Sequence, residues 1–388
     1  MARRFGAFSH KVIEERLARA RAAMAAHKLD ACLLIAPEHL YYFTGYDTWV
    51  GVNSPQLAVV TRSDQAPVLI VRNVDLSLAT ESTVIEDIRT YHLHTDSFPA
   101  LVQQVLRECG IGRRARLGIE LQSYAIPASL GRSLADALAP QELIDSTEIL
   151  GALRLIKSEA EIALLEKAGA YAARGLEALC KKLKPGMTEI ALAARIEHAM
   201  RKAGSDYWSI PTELASGVRS AGGHGTPREK EIEPGDLVHA EFAGVCERYH
   251  ATALQTVALG KPGKRARDLY RLGIESLEAG IAAVKVDAPV AEAEEASLVP
   301  LRREGLEKAA MMRFGYGIGI AYPPIWLETL QIARGFDTRL RPGMVFVLHS
   351  CLELPDEELG VVQGGTYVME EAGLRMLAGA GPVPLLQV

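Results

Sequence analysis

One glutamate stands inside an otherwise apolar stretch of the sequence. Glu241 follows a Pro-Gly turn at 234–235, and a period of two predicts a β-strand with one face turned inward. The residues that share this face are Leu237, His239, Glu241 and Ala243. A carboxylate in apolar surroundings costs free energy unless it is paired, protonated or functional. Glu241 is therefore the first candidate catalytic residue, as a general base or as an anchor for a cationic nitrogen.

An imidazole follows on the next predicted strand. The segment 244–248 closes a hairpin, and the returning strand carries His250, Thr252 and Leu254 on one face. Because facing side chains of a hairpin lie beside each other, we expect Glu241 and His250 to meet across one ladder. The sequence therefore predicts His250 as a second catalytic residue, the alternative being a core histidine with satisfied hydrogen bonds.

The Pro-Gly opening and the apolar run recur once, at 342–349. The seventh residue after the proline is Glu241 in the first copy and His349 in the second. Two copies predict two equivalent half-sheets that face one site. We expect His349 to hold polar atoms of a substrate there.

A tyrosine between glycines and a loop histidine extend the set of candidates. Tyr316 lies between Gly315 and Gly317, and glycines leave room for a ligand beside a hydroxyl group. His224 lies in the loop Gly-Gly-His-Gly at 222–225. The alternatives are a packing tyrosine and an ordinary loop histidine.

Three aromatic residues can form a wall for a cationic solute. Tyr322 and Trp326 follow Tyr316 closely, and Trp49 lies in a predicted exposed loop at 47–54. Core packing is the equally weighted alternative for Tyr322 and Trp326. We expect the loop with Trp49 to cover the site.

Composition limits the classes of partner. The chain has 388 residues, which favours two domains, and a net charge of −5 with dispersed Lys and Arg, which favours small solutes over nucleic acid. The five cysteines form no CxxC pair, a pattern typical of reduced thiols, so we expect a cytoplasmic protein. No stretch is long and apolar enough for a membrane span, and no membrane partner is expected.

The order of predicted elements indicates an α/β (α+β) protein with domains at 1–152 and 153–388. Alternating strands and helices form the first domain. Ser158 and Glu161 form a capping box on the long helix that opens the second. Further helices are predicted near Arg265–Val284 and Val299–Lys308, and the acidic segment Asp287–Ala296 is interpreted as a solvated helix end or loop.

With these elements in place, the second domain resembles the pita-bread fold of methionine aminopeptidase, Xaa-Pro dipeptidase and creatinase. The resemblance rests on Tyr41–Tyr46, Arg154–Glu161, the two Pro-Gly strands and Gly315–Gly319. It implies a creatinase-like N-terminal α/β domain, a C-terminal pita-bread catalytic domain and a homodimer. It also implies a catalytic or substrate-binding role for His224, whose position carries a functional histidine in the family.

The same resemblance implies five metal-ligand positions, at which peptidases of this fold hold two ions. The matching residues here are Glu241, Thr252, Tyr316, His349 and Gly364. A single carboxylate neither balances about four positive charges nor bridges two ions. We therefore expect no metal pair and no cofactor, while a single ion on Glu241, His250 and His349 stays open.

Part of the chain is more similar to ectoine hydrolases, which open a cyclic amidine. The similar segments are Gly45–Trp49, Glu241–Gly244, Arg248–His250 and Gly315–Trp326. They imply metal-independent hydrolysis of a C–N bond in a small polar or zwitterionic solute, a cyclic amidine or guanidino compound. In this hypothesis Glu241, His224 and His250 are catalytic, and substrate is bound by Tyr316, His349, Tyr322, Trp326, Trp49 and Tyr46. The alternatives are a metal-dependent Xaa-Pro dipeptidase, a non-catalytic solute-binding or scaffold protein, and a lyase.

Overall fold

The computed structural model describes residues 6–388, and these divide into two compact units. The first unit ends at Arg154 and the second is Leu155–Val388, so the division falls two residues after the predicted one. Both units combine helices with a β-sheet. The predicted α/β (α+β) class is confirmed.

The N-terminal unit is built on a six-stranded mixed sheet. Its strands are β1 (Ala31–Leu34), β2 (Leu57–Thr61), β3 (Val68–Arg72), β4 (Asp87–Tyr91), β5 (Arg116–Ile119) and β6 (Glu142–Asp145), in the order β4-β3-β2-β1-β5-β6. Its helices are α1 (His10–Ala26), α2 (Pro37–Thr44), α3 (Leu76–Ser82), α4 (Phe98–Glu108), α5 (Ala128–Leu138) and α6 (Thr147–Ala152). Ser9 caps α1, and Gly45 ends α2 in the left-handed conformation that glycine adopts without strain.

The C-terminal unit is built on one larger sheet. Its strands are β7 (Glu213–Ser216), β8 (Leu237–Cys246), β9 (Tyr249–Ala258), β10 (Gly315–Tyr322), β11 (Ile325–Ile332), β12 (Val345–Leu354), β13 (Leu359–Glu370), β14 (Gly373–Gly379) and β15 (Leu386–Gln387). Seven of them follow the order β11-β10-β12-β13-β9-β8-β7, with β14 on β13 and β15 on β9. Its helices are α7 (Glu159–Lys182), α8 (Glu189–Ala203), α9 (Lys264–Ala283) and α10 (Val290–Arg303).

The two Pro-Gly turns introduce equivalent strands of this sheet, as the repeat predicts. Gly235 and Gly343 have φ of +101° and +85°, a conformation that L-residues rarely adopt, and β8 and β12 follow them directly. β9 and β13 return antiparallel to β8 and β12 and pair with each other at the centre. The strands that carry Glu241 and His349 therefore belong to one continuous sheet.

Helix α7 packs closely against the strand that carries Glu241. Ser158 and Glu161 form the predicted capping box at its start. At Gly244 of β8 an added Cβ would lie 2.0 Å from the carbonyl oxygen of Ala168, so only glycine lets the helix approach. Helix α7 therefore covers one face of β8, and the other face, which carries Glu241, is free of this helix.

One helix prediction was wrong. The segment Asp287–Ala296 was interpreted as a solvated helix end or loop. A helix, α10, does begin within it at Val290, but Val290, Ala293 and Glu294 are buried and not solvated. The proline at 300 lies inside this helix, although the prediction placed a new helix start beside it. Tertiary packing against α9 and the sheet outweighs both the local acidity and the proline.

Among the helices of residues 6–388, none combines the length and the apolar character that a membrane crossing requires.

Candidate active site

One cavity of about 690 Å³ brings most of the predicted site residues together. It lies within the C-terminal unit, and its walls include Glu241, Tyr316, Trp326, His224 and His349. The two Pro-Gly strands thus contribute Glu241 and His349 to the same cavity, as the repeat predicts. The lining residues come from two parts of the chain, 210–241 and 311–349.

A second carboxylate, absent from the sequence predictions, faces Glu241. Glu213 lines the cavity from β7, and the antiparallel register places it directly opposite Glu241 on β8. Side chains of such a pair lie within interaction distance. The signal was present in the sequence, because Glu213 directly precedes the apolar residues Leu214 and Ala215. The cost of a carboxylate in an apolar strand applies to it as it does to Glu241.

Burial and mutual repulsion make these two carboxyl groups hard to ionise together. Burial raises the pKa of Glu213 above its ordinary value, and the negative charge of Glu241 raises it further. Burial also raises the pKa of Glu241, while a hydrogen bond from Tyr316 opposes that rise. Two like charges in one desolvated site cannot both form near neutral pH. The pair therefore holds one proton where isolated carboxyl groups would hold none.

A short hydrogen-bond chain decides which carboxyl group carries the charge. The indole nitrogen of Trp326 donates to the Tyr316 hydroxyl oxygen at 3.0 Å, and that hydroxyl donates to Oε1 of Glu241 at 2.9 Å. Because the indole N–H can only donate, the Tyr316 proton is directed toward Glu241. Burial and the Glu241 charge hold the pKa of Tyr316 well above its ordinary value, so it keeps this proton. Glu241 is thus stabilised as the anion, and the shared proton lies on Glu213.

The segment 311–349 of the cavity lining carries basic groups. Arg313 lines it with its guanidinium 5.9 Å from the centre of the Tyr316 ring, and one of its nitrogens donates to Gln331. Burial lowers the pKa of His349 to about 4, with smaller contributions from Arg313 and His224, so this imidazole is neutral. The buried Nδ1 of His349 has no hydrogen-bond partner within residues 6–388. The cavity wall therefore carries both a carboxylate hydrogen-bonded to Tyr316 and a guanidinium 5.9 Å from the centre of the Tyr316 ring.

His250 does not meet Glu241, although both lie on one face of the hairpin. The turn at Glu247 and Arg248 sets a register in which Glu241 faces Leu254 and Val245 faces His250. The imidazole therefore lies further along the ladder, and it is not part of the cavity wall described above.

The hydrogen bonds of His250 also fix its protonation state. Its Nδ1 lies 2.8 Å from the carbonyl oxygen of Arg248 and must donate, while Nε2 accepts from the backbone N–H of Ser209 at 3.0 Å. Burial lowers its pKa to about 3. The single ring proton of this neutral imidazole is held by the Arg248 carbonyl oxygen, and Nε2 is occupied by Ser209, which matches the core-histidine alternative.

The other three aromatic residues that were predicted to bind substrate do not line this cavity. Tyr322 is buried on β10, with the guanidinium of Arg248 5.7 Å from its ring centre, and is not part of the cavity wall. Tyr46 is buried in the N-terminal unit, where its hydroxyl donates to Gln56 at 2.5 Å. Trp49 belongs to the same unit and is 59% exposed. The predicted contact of Tyr46 and Trp49 with substrate stays a prediction.

The residues at the five matched metal positions do not fit a pair of metal ions. Thr252 offers a buried hydroxyl on β9, and Tyr316 is held in its neutral form. Gly364 lies opposite His349 in the pairing of β12 with β13. An added Cβ at Gly364 would lie 2.3 Å from the carbonyl oxygen of Leu348, so this position has no room for a metal-binding side chain. Within residues 6–388 no three His, Cys, Asp or Glu side chains are grouped to hold an ion. One carboxylate and one imidazole are too few donors for two ions.

Comparison with known proteins identifies the family. Residues 163–375 match the model of metallopeptidase family M24, and residues 16–156 match the creatinase/prolidase N-terminal domain. The chain belongs to metallopeptidase family M24, and the predicted creatinase-like and pita-bread domains are confirmed.

Relatives with different named activities match nearly the whole chain. The ectoine hydrolase of Halomonas elongata is 26% identical over 96% of this chain and 96% of its own length. The Xaa-Pro dipeptidase of Pyrococcus furiosus is 24% identical over 94% of this chain and 98% of its own. The solved Xaa-Pro dipeptidase of Bacillus anthracis superposes with a TM-score of 0.84 at 24% identity, covering 97% of this chain and 100% of that one, and shows the shared fold.

Trp326→Phe is expected to lower kcat about three- to tenfold. The ring remains, but the donor that directs the Tyr316 proton toward Glu241 is lost, and one neutral hydrogen bond contributes about 0.5–1.5 kcal/mol. Steady-state kinetics on the substrate identified below measure the change. Trp208→Phe is the control, because Trp208 packs against the core of the same unit outside the cavity wall. Equal kcat values for the two variants would contradict a role for this hydrogen-bond chain.

Proposed function

We propose that the protein is a hydrolase that cleaves a C–N bond in a small zwitterionic solute without a metal ion. The observation that carries this proposal is the pair Glu213 and Glu241, which shares one proton and is ordered by Tyr316. Such a pair offers a base and an acid in one desolvated site, which is what hydrolysis of a C–N bond requires.

Each carboxyl group has one role in the proposed reaction. Glu241, held as the anion, takes a proton from a water molecule as the water oxygen bonds to the substrate carbon. Glu213 gives its proton to the nitrogen as the C–N bond breaks. One water is consumed, and the pair again holds one proton, now on Glu241. Proton exchange across the pair restores the starting state.

Charge on the cavity walls supports a substrate with two poles. The anionic pair stabilises a cationic amidine or guanidino nitrogen, and Arg313 donates hydrogen bonds to a carboxylate. His349 is neutral and contributes a hydrogen bond without a second positive charge. His224 is exposed at the cavity wall. The ectoine hydrolase relative agrees with a cyclic amidine or guanidino compound as the substrate class.

A metal-dependent Xaa-Pro dipeptidase is the second candidate. It is favoured by the family and by the Pyrococcus furiosus relative. The donor set at the five matched positions opposes it, since it supplies one carboxylate. A solute-binding protein without turnover is the third.

A thermal-shift screen combined with turnover separates these candidates. Cyclic amidines, guanidino acids and Xaa-Pro dipeptides are each tested at increasing concentration, with and without a chelator. A ligand at a hundred times its Kd stabilises the folded state by about 2.7 kcal/mol. We expect a shift and turnover with an amidine or guanidino acid in the presence of chelator. Thermal shift and turnover seen only with dipeptides and added manganese, cobalt or zinc would refute the proposal. A thermal shift without turnover would also refute it and would favour the solute-binding protein.

A further inference from the structure

One side of the cavity is apolar and open. It is formed by Ile210, Met311, Met312, Leu327 and Phe336. Met311 is 54% exposed and Phe336 is 46% exposed, which is unusual for two large apolar side chains that line the same cavity as a half-buried carboxylate pair. The reaction proposed above uses none of these five residues.

The fold holds this apolar side next to the catalytic strands. Met311 and Met312 lie just before β10, which carries Tyr316, and Ala333 and Phe336 lie just after β11, which carries Trp326. β10 and β11 are antiparallel, with Gly315 opposite Ile332, so the segments 311–313 and 333–336 lie side by side at one end of this strand pair. The apolar side is therefore continuous with the site that holds Glu241.

The cavity is also larger than a compact solute requires. Its volume of about 690 Å³ lies in the middle of the range for pockets that enclose drug-sized ligands. In the proposed reaction a cyclic amidine or a short guanidino acid is held by Glu241 and Arg313, and the five apolar residues have no part in holding it. Apolar surface covered by water is a source of binding free energy for a ligand that reaches it.

We propose that the substrate carries an apolar substituent, an alkyl or acyl chain attached to its C–N unit, that packs on Met311, Met312 and Phe336. This inference rests on the proposed function, which places the C–N unit at Glu213 and Glu241. It narrows the substrate class from compact polar solutes to amino-acid derivatives with a polar head and an apolar tail. We assign this apolar surface to a part of the substrate and not to a partner protein, because its residues line the same cavity as Glu241.

A homologous series of ligands tests the inference. The probes are guanidinoacetates with linear N-alkyl chains from methyl to hexyl, and N-acyl glycines of the same lengths, with Kd measured by calorimetry on the full chain. We expect Kd to fall about two- to fourfold for each added methylene group, the factor that corresponds to burial of one methylene. Phe336→Ser should flatten this dependence on length while the Kd of the methyl compound stays nearly unchanged.

Val218→Ser is the matched control, because Val218 is 59% exposed and is not part of the cavity wall. It should keep the dependence on chain length. A Kd that does not change with length in the wild type, an unchanged dependence in Phe336→Ser, or no binding by either series would overturn the inference. A change in oligomeric state caused by Phe336→Ser would overturn it too, because the surface would then contact a second copy of the chain. Length-dependent binding without cleavage would instead leave this inference standing and refute the proposed function.

Discussion

Glu241→Gln is expected to lower kcat by at least about a hundredfold and to leave the fold intact. The amide keeps the shape of the side chain and still accepts the hydrogen bond from Tyr316, but it cannot take a proton from water. Loss of a general base typically costs a factor of about 10²–10⁴. Because the mutation also removes a buried charge beside Glu213, the melting temperature should stay level or rise.

Turnover and the melting temperature are measured for wild type, Glu241→Gln and the control Glu294→Gln. Glu294 is a buried carboxylate on α10 that is not part of the cavity wall. Its amide analogue can still accept from the backbone N–H of Arg334, so the control should keep normal turnover. A Glu241→Gln enzyme with near-normal kcat would remove this carboxylate from the mechanism. The chemistry would then have to lie with Glu213, His224 and His349.

Glu213→Gln is expected to lower kcat about ten- to a thousandfold, because the variant has no carboxyl proton to give to the leaving nitrogen. It should also change how stability depends on pH. The folded-state pKa of Glu213 is raised, so the wild type loses free energy of unfolding as the pH rises from the ordinary carboxyl range through that raised pKa. Glutamine mimics the protonated group and avoids this loss. The variant should therefore match the wild type near pH 4 and exceed it by about 1–2 kcal/mol at pH 9.

Denaturant unfolding of both proteins across this pH range measures the difference. Glu142→Gln is the control, since Glu142 is exposed on β6 in the N-terminal unit and should leave the pH dependence unchanged. A difference between Glu213→Gln and wild type that is the same at every pH would contradict the shared proton.

Local patterns were sufficient for much of the fold and part of the site. The Pro-Gly turns and the period of two placed Glu241 and His349 on equivalent strands, because turn geometry and side-chain alternation act over a few residues. That indication depends on the chain nearby and not on distant contacts. The glycines beside Tyr316 were expected to leave room for a ligand, but neighbouring strands fill that room. An added Cβ would lie 2.2 Å from the carbonyl oxygen of Val347 at Gly315 and 2.8 Å from Cβ of Leu330 at Gly317.

The features that sequence could not supply depend on pairing between distant segments. The role of Glu213 depends on the pairing of β7 with β8, because only that register places it opposite Glu241. His250 was expected beside Glu241, but the hairpin register moves it along the ladder to Ser209. The face of a strand follows from its sequence, whereas the position along its partner depends on the turn and on packing.

Turnover in ¹⁸O-labelled water, with metal content measured on the same sample, tests the central claim most directly. The enzyme is treated with chelator, analysed for metals and given the substrate found in the screen. We expect an unchanged rate with far less than one metal ion per chain and one labelled oxygen in the product at the carbon released from nitrogen. Loss of activity with chelator and its return with manganese, cobalt or zinc, or a product without the label, would contradict metal-independent hydrolysis at Glu213 and Glu241.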